Sequence, residues 1–295
     1  MKIRTDGVQR AVNTFAYIFI SLFSLACLFP FVMMISASFS DETAIMRDGV
    51  SLLPREPTLY AYEIAFKSPK FLLGSYLVTI LMTVVGTAVG LVLIAMTGYV
   101  LSRKDYFLRN GISFFIYFTT LFSAGLAPTY LWMTKGLGLK NNYLAVLLPL
   151  LMTPWLIFLM RNFMNSIPFE ITESGTIDGA GDFRIFLSLI LPMLTPALAT
   201  VGLFLALNYW NEWYNSMLYI SNLDYKPLQY YLYSIVNQAA ALKQSMAGAN
   251  VTVGTLPSNT LKMATACLAT GPIILVYPFV QKYFISGITV GAVKG

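Results

Sequence analysis

Long apolar runs alternate with short polar stretches along this chain, and that alternation predicts an all-α integral membrane fold of about six transmembrane helices. The runs lie near 12–36, 72–101, 112–133, 143–160, 185–209 and 261–281. A bilayer core about 30 Å thick needs roughly 20 apolar residues at helical rise, which these runs approach or exceed. Backbone groups in lipid find no water, so each run must satisfy its own hydrogen bonds as a helix. The first run is longer than the apolar part of a signal peptide and has no small-residue cleavage site behind it, so it is expected to remain as a span. The whole of 1–295 then reads as one transmembrane domain.

Three spans carry marks of their own. Gly86, Gly90, Ala95 and Gly98 form a small-residue series in the second, suited to close helix contact. Gly125-Leu-Ala-Pro128 interrupts the third, which predicts a kink or an unwound stretch beside protein or a wet cavity. Pro192 and Pro196 in the fifth remove backbone bonds four residues apart and predict a bend.

Basic residues set the expected orientation. Lys2, Arg4 and Arg10 precede the first span, whereas Arg47 alone follows closely behind it. Arg103, Lys104 and Arg109 sit between the second and third, which puts the N-terminus in the cytoplasm. Lys135 and Lys140 fall on the outer side and weaken the bias. An even number of spans places the loop 161–184 and a tail 282–295 inside.

Composition narrows the class. The chain is 57% hydrophobic and 11% charged, with mean hydropathy +0.68, far below the charged fraction of about a quarter in soluble domains. Its net charge of +6 comes from single or paired basic residues between spans, which argues against nucleic acid as a partner and for lipid. There is no histidine, and Cys27 and Cys267 each lie in an apolar run, so neither a metal centre nor a disulfide is expected. A phosphate-binding Gly-x-x-x-x-Gly-Lys-Ser/Thr loop is absent, so ATP-driven work would need a separate chain. No Asp, Glu, Arg or His stands near the middle of a span, which disfavours a proton-coupled carrier and leaves a sodium-coupled secondary carrier open. A membrane enzyme would need paired catalytic groups, and the single carboxylate cluster suits docking at least as well. The expectation is a transport subunit without catalysis and without a cofactor of its own.

That cluster lies in the polar island from Ser166 to Pro196. It holds Glu170, Glu173, Asp178 and Asp182 with Gly175, Gly179 and Gly181. Ser166 and Pro168 predict a helix start, with the Ser hydroxyl accepting an orphan N–H. Glu170 and Glu173 share a helix face, Gly179 stops that helix, and a second short helix leads into the fifth span. An ordinary solvated loop is the competing reading.

The run Glu173-Ser-Gly-Thr-Ile-Asp178-Gly179-Ala180, followed by Leu189-Ile190-Leu191-Pro192, resembles the EAA loop of binding-protein-dependent ABC importer permeases. Ser174 and Gly175 stand where that family has two alanines, a change that loosens the first helix. The resemblance implies a type I ABC importer permease fold whose cytoplasmic coupling helices dock on an ATPase, with Glu170, Glu173, Asp178, Gly179, Ala180 and Asp182 as coupling residues. The end of the chain is similar to the tail of maltose-type permeases, which implicates Gly291, Lys294 and Gly295 near the ATPase dimer. Leu121 to Leu131 resembles a segment of permeases that import oligosaccharides.

Asn208, Trp210, Asn211, Glu212, Trp213 and Tyr214 form the densest group of aromatics and amides. They are expected either to line a sugar path or to form an interfacial aromatic belt, which would leave the amides and Glu212 unexplained. Residues 37–71 either receive a binding protein or merely connect spans. Residues 215–258 are expected as outer loop with a short helix, carrying Tyr225, Tyr230, Tyr231 and Tyr233.

Taken together, the resemblance implies the permease subunit of an ATP-driven oligosaccharide importer in a bacterial cytoplasmic (inner) membrane. Its partners would be a second, homologous permease in a heterodimer, two ATPase subunits binding ATP and Mg, and an extracytoplasmic solute-binding protein. Acidic, uronate-containing oligosaccharides are the alternative cargo. An acidic sugar wants a cation along the path, and no span interior offers one, so a neutral glycan is the easier fit unless the second permease supplies the charge.

Overall fold

The structure, a computed structural model, describes residues 7–221, 224, 226–248 and 257–292. Among them every regular element is helical, in the order α1 (Gly7–Ser38), α2 (Glu42–Asp48), α3 (Tyr60–Ala65), α4 (Pro69–Ser102), α5 (Arg109–Leu121) and α6 (Leu126–Leu131). After them come α7 (Leu144–Leu151), α8 (Pro154–Met164), α9 (Glu170–Ile177), α10 (Asp182–Ile185), α11 (Leu191–Met193) and α12 (Thr195–Trp210). The last three are α13 (Tyr214–Tyr219), α14 (Leu228–Gly248) and α15 (Asn259–Ala292).

Among the described residues three stretches are long and apolar enough to cross a membrane without a sharp bend, Gln9–Ser38, Pro69–Ser102 and Leu144–Met164, the last made of α7 and α8. Two further candidates are broken: Arg109–Leu121 with Leu126–Gly136 bends by 113°, and Asp182–Met193 with Thr195–Tyr219 by 85°. α15 begins two residues before the sixth apolar run and continues to Ala292, so helix occupies much of the stretch expected as a tail.

The breaks have local causes. Gly125 adopts φ +84°, a left-handed conformation that a side chain resists, and α6 restarts with Pro128 in its first turn, where no N–H is needed. In the fifth candidate span Pro192 has no N–H for the carbonyl four residues back. The chain widens into a π turn over Phe186–Ile190 just before it, and breaks at Leu194, ahead of Pro196.

The chain contacts divide into two compact units, Met1–Ser68 with Ser234–Pro272, and Pro69–Tyr233 with Ile273–Gly295. In the second unit α4 is the central element. Its buried positions Leu72, Ser75, Thr79, Met82, Gly86, Gly90, Ile94 and Gly98 recur three or four apart, a single stripe facing the other helices. The rest of its surface, Leu77, Val84 and Val92 among it, is exposed apolar side chain, as lipid contact requires. The small-residue series is part of the buried stripe. A Cβ on Gly86 would lie 2.5 Å from the Tyr209 ring, and one on Gly98 2.9 Å from Met160 Cγ. These glycines let α12 and α8 approach α4 closely. Tyr209 is buried in that contact and donates its hydroxyl to the Leu147 carbonyl at 2.9 Å.

In the first unit α1 is almost wholly exposed, with Phe15, Phe19 and Phe23 stacked along it. Asp41 caps α2 by accepting the Thr43 and Ala44 N–H groups. The buried Glu42 carboxylate caps α15 by accepting from Asn259 N, Thr260 N and the Thr260 hydroxyl at 2.9–3.0 Å. Burial opposes its charge, but the Thr260 and Asn259 N–H groups outweigh that and hold the carboxyl below its ordinary range.

Candidate functional site: an exposed elbow and an aromatic patch

The polar island folds as an elbow between α8 and α12. Its start differs from the expectation: the Ser166 hydroxyl donates to the Phe163 carbonyl at 2.6 Å, so it finishes α8 rather than opening α9. α9 begins at Glu170 with no side-chain cap. Glu170 and Glu173 instead stand in its first turn, where the exposed N–H groups favour negative charge.

Gly179 terminates α9. At φ +75° it donates to the Thr176 carbonyl at 3.0 Å, and Ala180 N donates to the Gly175 carbonyl at 2.9 Å. This paired closure is a Schellman turn, which satisfies the last carbonyls without help from elsewhere. Gly175 does more than replace an alanine. Its missing Cβ would lie 2.9 Å from Leu189 Cδ1 and 3.1 Å from Ile185 Cγ1, so α9 sits tightly on the segment that follows rather than loosely. Ile185, Phe186 and Ile190 on that segment are buried in the core of α4, α8 and α12, with Ala180 packed against it.

The other side of the elbow faces away from the chain. Glu170, Glu173 and Asp178 are exposed, and among the described residues their carboxylates form no hydrogen bond or ion pair. Ile177 is 85% exposed and Phe183 63%. An elbow that satisfies its own backbone while presenting two large apolar side chains among carboxylates has the makings of a docking surface.

Asp182 differs from its acidic neighbours. It accepts from Arg103 Nη1 at 2.9 Å, and Arg103 also grips Asp105 through Nε and Nη2 and reaches the Tyr99 hydroxyl at 3.0 Å. The Asp105 bond, against the cost of desolvation, raises the Arg103 guanidinium above its usual range, and Arg103 in turn lowers the Asp105 carboxyl. Sequence reasoning counted Arg103 and Lys104 only as flanking charges. A contact across 79 residues leaves no periodic trace in a sequence. Beside this ion pair a cleft of about 430 Å³ opens between Tyr99, Arg103, Lys104, Pro168 and Glu170.

The aromatic patch sorts its six candidates differently. Asn208 is exposed and Trp210 half-buried at the end of α12. Asn211 donates to the Leu207 carbonyl at 2.9 Å and accepts from Gln229 Nε2 at 3.3 Å. Glu212 is buried, and its carboxylate accepts from Asn215 N at 2.6 Å and Asn215 Nδ2 at 3.1 Å, capping α13. Trp213 and Tyr214 are exposed, and the Trp213 ring lies 5.0 Å from Tyr233 of α14 and 5.9 Å from Tyr214. Of the three tail candidates, Gly291 lies in α15, and Lys294 and Gly295 fall outside the described residues.

Comparisons with known proteins agree with the resemblance read from the elbow. Residues 96–290 match the family described as "Binding-protein-dependent transport system inner membrane component". The chain is similar to the polygalacturonan/rhamnogalacturonan transport system permease protein YtcP of Bacillus subtilis (strain 168), at 37% identity over 97% of this chain and 99% of that one. It is 27% identical to the arabinooligosaccharides transport system permease protein AraQ of Halalkalibacterium halodurans, over the full length of both. A crystal structure of a bacterial ABC transporter involved in the import of the acidic polysaccharide alginate contains a chain of similar fold. It matches with TM-score 0.75 and 32% identity, over 96% of this chain and 99% of that one.

Proposed function

The chain belongs to the inner membrane components of binding-protein-dependent transport systems, a permease subunit rather than an enzyme, and from that premise we propose how it works. It forms half of the translocation path of an ATP-driven oligosaccharide importer. Its relatives are named for polygalacturonan/rhamnogalacturonan, arabinooligosaccharides and alginate, which supports that cargo class. ATP and Mg are held by two ATPase subunits, and an extracytoplasmic binding protein delivers the saccharide.

The second permease of the heterodimer covers apolar surface that this chain leaves open. α5 has no buried residue, and the window of α1 that would cross the membrane is 0% buried. Both termini and the elbow face the cytoplasm, in keeping with the basic residues Arg103, Lys104 and Arg109 beside the elbow's ion pair. Gly291, Lys294 and Gly295 serve the ATPase pair from the cytoplasmic side.

The observation that carries this reading is the self-capped elbow with Ile177 and Phe183 exposed among Glu170, Glu173 and Asp178. The Schellman turn and the close seat of Gly175 make α9 and α10 one rigid piece. When the ATPases close, that piece moves as a lever, and the bent segment through α11 passes the motion to α12. There Asn208, Trp210, Asn211, Trp213 and Tyr214 line the saccharide path, with Glu212 holding the turn that presents them. Trp and Tyr faces stack on the C–H faces of sugar rings, and amides bind hydroxyls.

The test is co-purification and uptake in the assembled transporter. Gly179→Asp puts a side chain at a left-handed φ and is expected to lower uptake by about 100-fold and to abolish ATPase co-purification, with membrane insertion intact. Retention of both ATPase and uptake in that variant would remove the elbow from the coupling role.

A further inference from the structure

The lack of a cation inside any span favours a neutral cargo on sequence grounds. The fold supplies a cation from elsewhere. Lys226, two residues ahead of α14, is only 7% exposed. Its Nζ lies 4.8 Å from the centroid of the Tyr230 ring, and no carboxylate among the described residues pairs with it. Burial holds its pKa below that of an ordinary lysine. A buried ammonium with an aromatic face and no counter-charge is costly, because cation–π attraction replaces only part of the lost hydration. An apolar residue would pack there at lower cost, so packing alone gives no reason for a lysine.

The surroundings give one. Leu228 N donates to Thr79 Oγ1 at 2.7 Å and fixes the start of α14 on α4. Gln229 reaches Asn211, and Tyr233 meets the Trp213 ring, so two distant stretches, 208–214 and 229–233, form a single patch. That patch combines exposed rings (Trp213, Tyr214, Tyr233) with amides (Asn211, Gln229), and three residues ahead of Gln229 in the chain stands the buried Lys226 ammonium on the Tyr230 ring. Rings suit sugar faces and amides suit hydroxyls. An ammonium away from water suits a carboxylate, which it would bind through a charge-assisted hydrogen bond in a low dielectric.

We propose that Lys226 reads the carboxylate of a uronic acid unit, so that the cargo passing this chain is an acidic oligosaccharide; the proposal rests on the importer reading above. Tyr230 shields the ammonium in the empty path and yields its place to the arriving carboxylate. Part of the specificity for charge then resides in this permease rather than in the binding protein alone.

The test uses the complete transporter, with both permeases, the ATPases and the binding protein, in proteoliposomes. Uptake is measured for trigalacturonate, for its methyl ester and for neutral arabinotriose. Lys226→Gln is expected to lower trigalacturonate uptake by about tenfold or more and to change uptake of the two uncharged saccharides less than about twofold. Lys226→Arg is expected to restore most of the acidic uptake. An equal loss for all three saccharides, or no loss, overturns the proposal. If Lys226→Gln does not insert, Tyr230→Leu is read on the same ratio of acid to ester; an unchanged ratio overturns the proposal. Wild-type transport of arabinotriose alone defeats the acidic reading and leaves the importer reading standing. Transport of none of the three by an assembled, ATP-hydrolysing complex defeats both.

Discussion

The elbow and the aromatic patch are both polar islands in an apolar chain, and they spend their polar groups in opposite ways. At the elbow the backbone closes on itself through Gly179 and Ala180, and the carboxylates of Glu170, Glu173 and Asp178 are left without partners among the described residues. At the patch polar side chains are also tied within the chain: Glu212 caps α13, and Asn211 bridges Leu207 and Gln229. Directly beneath it Tyr209 is buried against Gly86. The elbow leaves its carboxylates and two large apolar side chains exposed, whereas the patch uses polar groups to hold its rings still. Substitution should therefore damage coupling first at the elbow and folding first at the patch.

The largest effect on stability is expected at the anchor of the patch. Gly86→Leu puts a side chain where the Tyr209 ring already lies, and that ring has nowhere to go, being buried and bonded to the Leu147 carbonyl. Overpacking with loss of the hydrogen bond is expected to destabilise by about 3–4 kcal/mol. The measurement is thermal stability of the detergent-solubilised chain together with its yield in the membrane. An unchanged melting point would mean that α12 is not pinned by α4, and the contrast between the two regions would fail.

A smaller effect is expected at Glu212. Glu212→Ala removes the acceptor for Asn215 N and is expected to destabilise by about 1–2 kcal/mol, the usual worth of a helix cap. Uptake should fall only in proportion to folded protein, with the preference among saccharides unchanged. A shift in that preference at constant yield would mean that Glu212 touches cargo itself and does not merely cap α13.

Much of this division was legible in the sequence. The sparse charge, the apolar runs and the spacing from Glu173 through Gly179 to Pro192 mark a membrane chain with a helix–turn–helix elbow. The Gly125 and Pro192 to Pro196 interruptions fall where helices bend. What was hidden depends on which side chains meet. Ser166 looks like a helix start, yet its hydroxyl bonds backward, because a Ser ending one helix and a Ser opening the next have the same local sequence. Gly175 reads as a weakness until Ile185 and Leu189 are seen against it. Glu212 reads as a sugar ligand until Asn215 is seen to claim it. Lys226 sits in what reads as an outer loop, and only the docking of α14 on Thr79 places it in a buried setting.

The smallest effect on stability is expected at Arg103, and it probes the elbow rather than the patch. The Arg103 side chain is 16% exposed while that of Asp182 is 73% exposed, so solvent screens the pair and Arg103→Ala should destabilise by only about 0.5–1 kcal/mol. Its mechanical effect should be larger than its energetic one. Arg103 ties the end of α4 to the first residue of α10, and without it the elbow can move while α4 stays behind. ATP hydrolysis would then proceed with less saccharide delivered per ATP, and Asp182→Asn should produce the same loss, with no further loss in the double variant. The lowered Asp105 carboxyl fixes the pH behaviour: its pairing contributes fully above the unfolded pKa and is lost only as pH falls through the still lower folded value. Between about pH 6 and 8 the coupling ratio of wild type and variant should therefore be flat, since the lowered Asp105 carboxyl stays ionised throughout. A tether that weakened within that range, or a double variant worse than either single one, would show that Arg103 and Asp182 act separately.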